Sequence, residues 1–294
     1  MHTHMHMLLA QNYFYESGLK MDVFGVSDLV QQTQTNYMWG EQQAPSVRGA
    51  NLIVSLVHHH VMAKQAFAHD VLYAMADNCH SQNKNWAFLF YWRAFSTIFQ
   101  TSVYYHFLLQ GHTKALHDAC FGLIKRALKK NTVHTPRDYF DLVQRSSDVN
   151  SAVDASGVHI GDMRSSLEEF FCEGGVAITR YRHFFFDKAR PGIIMYRKDA
   201  TDTWQEKSIL RPDADQSVLS REHLDDTRTL PTSQLSQNRH KQLKGIVDKY
   251  FTGVPHKKRD FYQPPSKEVL AACPVSLPTD PDMRDTPALD VTSQ

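Results

Sequence analysis

The pattern of apolar and polar positions is dominated by the stretch from Ser46 to Lys130, and Asn85 to Leu109 is its densest part. Aromatic and aliphatic residues recur there at helical spacing almost all the way round, as in a helix enclosed by other helices. Upstream, Ser46 is placed to cap a helix running to about Cys79, with Ile53, Leu56, His60, Ala63, Phe67, Val71 and Ala74 on one side. After the polar break CHSQNKN, Phe88, Trp92, Phe95, Phe99, Ser102 and His106 form one line of a second helix. So short a break predicts an antiparallel helical hairpin. A third helix, His112 to Lys130, turns Leu116, Cys120, Leu123 and Ala127 inward, and Pro136 starts a short fourth through RDYFDLVQRS.

Residues 1 to about 45 alternate short apolar and polar runs punctuated by Gly18, Gly25, Gly40 and Pro45, which predicts short strands or irregular cover. Asp162 is placed to cap a helix through MRSSLEEFF, broken at Gly174-Gly175. The segment VAITRYRHFFFDKAR reads as a helix or a strand, and helix is favoured because it runs into the stop signal Pro191-Gly192. Two β-prone stretches around Asp199–Asp202 predict a hairpin. Beyond about Leu210 the chain turns polar apart from a helix near Ser236 to Phe251, and the proline-rich residues 252–294 should extend. The fold class this predicts is mainly α: a bundle of long antiparallel helices with a small β-hairpin and an extended C-terminal tail. Its regions are an N-terminal cover over 1–45, a helical bundle with hairpin over 46–210, and a polar, Pro-rich region with one helix over 211–294.

Composition narrows the picture only slightly. At 294 residues the chain can bury a sizeable core, and 32 Lys+Arg against 31 Asp+Glu argue against wholesale coating of nucleic acid. The four cysteines, Cys79, Cys120, Cys172 and Cys273, stand far apart, so the expectation is reduced thiols in a cytoplasmic protein. The first residues lack the features of a secretory signal. Arg93, Gln100 and His106 interrupt the most apolar stretch, which argues against a membrane span.

Among 17 histidines, His60 and His106 are the pair that the helical lines place inward together, making them candidate metal ligands between helices. Residues 46–131 contain no Glu-x-x-His, the pattern of carboxylate-bridged di-iron bundles. His69-Asp70 and His117-Asp118 invite a metal-phosphohydrolase reading, but His58, His59 and His60 share a predicted helix with His69-Asp70, where that chemistry draws its ligands from different helices. Gly-rich phosphate loops and GxSxG elbows are absent. No cofactor is expected. The last turn of the third helix, Lys125, Arg126, Lys129 and Lys130, complements the helix dipole and could also meet phosphate.

The remaining candidate is the run Arg180-Tyr181-Arg182-His183-Phe184-Phe185-Phe186-Asp187. A long helical hairpin followed by a helix bearing Arg-(Asn/His/Asp)-x-x-x-His resembles the HEPN superfamily of helical RNases, toxins and antiphage proteins, with Asp187 in place of the final histidine. The resemblance implies a metal-independent RNase site in which Arg182 holds the scissile phosphate, His183 is a polar motif residue and Arg180 adds phosphate contact. A carboxylate at Asp187 could take a proton but repels phosphate, which implies a weakened or inactive member. The partners implied are RNA and a second copy of the chain. The competing expectations are a non-enzymatic scaffold that pairs with itself or another protein through an exposed apolar surface, and a metal-binding bundle at His60 and His106.

Overall fold

The computed structural model describes residues 2–6, 18–41, 49–108, 116–232 and 235–250. Its first elements are strands: β1 (His2–His6), β2 (Lys20–Asp28) and β3 (Thr33–Gly40) form an antiparallel sheet, and Gln32 turns β2 into β3 at φ 55. Helix α1 (Ala50–Ala63) follows, but it does not reach Cys79. Gln65 takes the left-handed conformation at φ 51, and after a single 3₁₀ turn the chain extends as β4 (Val71–Ala76). The same device recurs after α2 (Trp86–Phe99), where Gln100 at φ 53 turns the chain into β5 (Ser102–Phe107). Left-handed glutamine is uncommon, so neither helix end carried the glycine or proline that usually marks one.

Helices α3 (Leu116–Lys130) and α4 (Pro136–Arg145) come next, then β6 (Asn150–Asp154), which pairs in parallel with β3 and completes a four-stranded sheet. The short helix α5 (Met163–Leu167) precedes β7 (His183–Phe186), β8 (Ile193–Arg197) and β9 (Gln205–Ser208). The second sheet has the order β4-β5-β7-β8-β9, with β4 and β5 parallel and the rest antiparallel. Helices α6 (Glu222–Asp225) and α7 (Gln237–Tyr250) close the described chain.

These elements stack in layers. Helices α3 and α4 pack on one face of the four-stranded sheet through Phe121, Ile124, Tyr139, Leu142 and Val143, against Met21, Val23 and Met38. The opposite face of that sheet, carrying Phe24, Tyr37 and Trp39, shares the main core with α1 and α2. Helix α2 lies at the centre, and Trp86 through Ser96 are all buried. Alternate residues of the second sheet, Val103, Tyr105, Phe107, Phe184, Phe186 and Ile194, meet α2 from the other side. Among the described residues, most of the side chains on the far face of that sheet are half-buried to exposed. The cap of α4 provides a check on local structure: the Thr135 hydroxyl accepts from Asp138 N–H (3.1 Å), and the Asp138 carboxylate accepts from the Thr135 amide (3.1 Å). Thr135→Ala is expected to cost about 1 kcal/mol, measured as a lower urea midpoint at unchanged slope.

The architecture is therefore mixed α/β with two sheets, and the expectation of an all-α helical bundle is overturned. The central stretch is half helix and half strand. Phe95, Phe99, Ser102 and His106 do fall at helical spacing, but Val103, Tyr105 and Phe107 alternate with Tyr104 and His106, and the sheet takes the shorter period. Likewise the segment from Val176 forms a 3₁₀ turn (Ile178–Arg180) and then β7. The hairpin expected around Asp199–Asp202 is present as β8 and β9, paired Tyr196 to Gln205. The tail over 252–294 lies outside the described residues.

Candidate functional site

Residues directly opposite one another in a ladder share a face, so the registers of the second sheet define its open side. One row runs Tyr73, Tyr104, Phe185, Met195 and Glu206 across all five strands. The neighbouring row runs Met75, His106, His183 and Arg197. Two residues of strand separate the rows, about 7 Å.

The first row is an aromatic column. Tyr73 stacks on Tyr104 at 5.0 Å with planes 7° apart, and Tyr104 stacks on Phe185 at 4.2 Å and 18°. Its outer end is bare: Tyr73 is 68% exposed on the edge strand β4, flanked by exposed Val71 and Met75. Trp204 stands beside Phe185, ring centroids 6.1 Å apart, and the Arg197 guanidinium lies 4.3 Å over its ring. A cation on an indole face is attracted by the ring quadrupole.

The second row is a polar strip. His106 and His183 meet Nδ1 to Nδ1 at 3.0 Å, with rings 70° apart. Partial burial holds both imidazoles below their ordinary range. For His106 the neighbouring His183 and Arg197 add to that effect, and for His183 it is Arg197 and Arg182, opposed by Asp202.

Behind this strip the chain leaves the parallel strands β4 and β5, and here lies the segment that the hydropathy pattern presents only as a polar break. Asp77 accepts from the Cys79 amide (3.1 Å) and the Asn83 side chain, while Asn78 donates to Leu108 C=O (3.2 Å). Lys84, 4% exposed, donates to the Asn78 side-chain oxygen and to Thr179 C=O, both at 3.0 Å, and sits 5.0 Å from the Phe107 ring. Burial lowers its ammonium pKa, and nearby Arg182 adds to the effect. The C-terminal ends of parallel strands are where open α/β sheets collect ligands.

The sequence-predicted residues divide between this region and others. Arg182 precedes β7 and pairs with Asp199, while His183 belongs to the polar strip. Asp187 lies beyond the other end of β7, its carboxylate accepting from the Ala189 amide (2.9 Å) in a turn. Five residues of extended chain put Arg182 and Asp187 roughly 16 Å apart. They cannot share one phosphate, as a helical motif would require. Arg180 is exposed in the 3₁₀ turn. Lys125, Arg126, Lys129 and Lys130 are exposed on α3, which covers the other sheet, with α1 and α2 in between. His60 lies on α1 against the Tyr37 ring (6.3 Å), so the structure does not bring it to His106. Among the described residues no group of three or more His, Cys, Asp or Glu is placed to hold a metal ion.

A further polar cluster is structural. His58 Nε2 meets Asp225 at 2.8 Å and its Nδ1 meets the Tyr91 hydroxyl at 3.3 Å, tying α1, α2 and α6 together. Tyr91 is fully buried, so no substrate reaches it. What the hydropathy reading missed is the open face itself: Tyr73, Tyr104, Phe185, Arg197 and Trp204. The sequence signal was slight: SVYYHF sets Ser102, Tyr104 and His106 alternately with Val103, Tyr105 and Phe107, while VLYAMA is apolar throughout.

Two sheets enclosing a helical layer, one of them with an open aromatic face, define a mixed α/β protein rather than a HEPN-like helical domain. Residues 12–202, about two thirds of the chain, match the family described as "Domain of unknown function (DUF7869)", and the chain belongs to that family. The match spans β2 to β8 and so includes three strands of the first sheet and four of the second. No curated protein and no solved structure matches the chain. No described helix is long and apolar enough to cross a membrane.

Proposed function

We propose that the open face of the second sheet binds single-stranded nucleic acid, with a base stacking on the exposed Tyr73 ring that ends the aromatic column and the backbone meeting the polar strip. The observation that carries this reading is the stack of Tyr73, Tyr104 and Phe185 on three adjacent strands, ending in an exposed ring and bordered by His106, His183 and Arg197. Base stacking on aromatic side chains is tolerant of sequence, and a polar row carrying the Arg197 guanidinium about 7 Å away is within reach of the same nucleotide's phosphate. The near-neutral chain suits a local surface of this kind, since only the face needs to carry the charge.

The test is fluorescence anisotropy with labelled pyrimidine-rich RNA and DNA oligonucleotides at low salt. Tyr73→Ala is expected to weaken binding about tenfold, within the range that one base–aromatic stack contributes. Arg197→Met is expected to lower affinity and flatten its salt dependence. Equal affinity in wild type and Tyr73→Ala would contradict the reading.

A protein-interaction module is the second reading, and one observation favours it. β4 is an edge strand with Val71, Tyr73 and Met75 exposed and no charge in VLYAMA, the kind of edge that recruits another strand. Self-association in sedimentation, abolished by Tyr73→Lys, would select it over nucleic-acid binding.

A further inference from the structure

We propose that His106, His183 and Arg197 form an oxyanion site that takes up a proton as the anion docks; it rests on the nucleic-acid reading in that it would be the phosphate subsite of the same face. The three residues lie side by side on β5, β7 and β8, on the open face, and all three are partly exposed. Two Nδ1 atoms at 3.0 Å share one proton: one neutral ring donates and the other accepts. One further proton goes to the free Nε2 of the donating ring and makes a single imidazolium still hydrogen-bonded to its neutral partner; beside Arg197 and Arg182 that cation is unfavourable until an anion lies against it.

The surroundings favour that anion over a metal cation. From β8 comes Arg197, whose guanidinium stacks on Trp204 and donates to Asp202 C=O; among the described residues no ion pair joins it to a carboxylate. From the residue before β7 comes Arg182, charge-balanced by Asp199, and behind it Lys84, which rests on two neutral oxygens. The β8–β9 turn contributes Asp202, the carboxylate that acts on His183. β4 supplies uncharged Met75, and β5 supplies the Tyr104 ring, 6.0 Å from His106. The formal charges of Arg197, Arg182 and Lys84 exceed those of Asp199 and Asp202 by one, before either imidazole is protonated.

With both imidazoles held low in the free protein, a bound oxyanion raises them, and the proton comes from solvent. Affinity should therefore rise as pH falls, approaching tenfold per unit where one proton is taken up. Sulfate is the clean probe, because it does not itself titrate near neutrality. Calorimetric titration of the full chain with sodium sulfate between pH 6 and 8, in buffers of different ionisation enthalpy, is expected to show uptake of about one proton. In the same series, the imidazole resonances of His106 and His183 should shift to higher pKa with sulfate present. His183→Gln should remove the proton linkage and weaken sulfate binding about tenfold.

The proposal is overturned by sulfate binding without proton uptake, by no binding at pH 6, or by zinc binding with proton release at His106 and His183. Failure of the two readings can be told apart. Oligonucleotide binding that depends on Tyr73 while sulfate is silent removes only the oxyanion site. Proton-linked sulfate binding without oligonucleotide binding removes the nucleic-acid reading and leaves the site standing.

Discussion

Lowering the pH from 7 to about 4.5 is expected to destabilise the protein by about 2.4 kcal/mol from His60 alone. His60 is 8% exposed on α1, and burial, with Lys64 and His59 adding and Asp28 opposing, lowers its pKa from 6.5 to about 4. The unfolded chain then binds a proton that the folded one refuses. Stability is therefore fully present above pH 6.5 and lost progressively as pH falls toward 4. Burial pushes His58, His59, His106 and His183 in the same direction, so their contributions add to that of His60. Urea unfolding at pH 7, 5.5 and 4.5 measures the effect, and His60→Gln should flatten the profile. A flat profile in the wild type would show that His60 is wetted or can turn outward.

Arg93→Met is expected to cost about 3–5 kcal/mol and to unfold part of the population at 37 °C. Arg93 has no exposed surface, and it stitches α2 to the turn between β7 and β8. Nη1 donates to Arg190 C=O (3.1 Å) and Ile193 C=O (2.9 Å); Nη2 donates to Asp187 C=O (2.9 Å) and Ser96 Oγ (3.1 Å). Ser96 in turn donates to Phe186 C=O (3.1 Å). Burial draws the guanidinium pKa down to about 10, with Asp187 pulling the other way, so it is charged at neutral pH. Methionine keeps the stem but removes the guanidinium's bonds to three carbonyls, of which Asp187 C=O and Arg190 C=O keep the Arg190 and Ile193 amides as donors (3.1 and 3.3 Å). Each lost charged hydrogen bond is worth about 1.5–3 kcal/mol. Arg93→Lys should recover only part of the loss, because an ammonium cannot span the planar fork's diverging acceptors. Thermal unfolding of both variants checks this, and a loss below about 1 kcal/mol would mean the turn rearranges to satisfy itself.

Arg93 also shows where the pattern of apolar residues informs and where it misleads. Within α2 the enclosed helix was legible, because Trp86 to Ser96 are apolar on every side and all buried. In the same pattern Arg93 is an interruption, and nothing local shows that its partners come from about a hundred residues later. The strand content was hidden for a related reason. The helical line through Phe99, Ser102 and His106 runs on past Gln100, and no glycine or proline marks the break. Pro136, with Thr135 and Asp138 around it, does mark a helix start, and there expectation and structure agree. At the site, the sequence alone suggests a helical phosphate motif at Arg182 and His183. They lie instead on and beside β7, where extended backbone separates them from Asp187 and aligns His183 with His106 and Arg197. Cross-strand alignment depends on pairing between distant segments, which a single sequence does not display.

Ultraviolet cross-linking of a uridine-rich single-stranded oligonucleotide, with adducts mapped by peptide mass spectrometry, tests the central claim most directly. Adducts at Tyr73, Tyr104, Phe185 or Trp204, lost on competition with unlabelled strand, are the expected result. Adducts confined to the exposed lysines of α3, or none under conditions where the protein is folded, would contradict it.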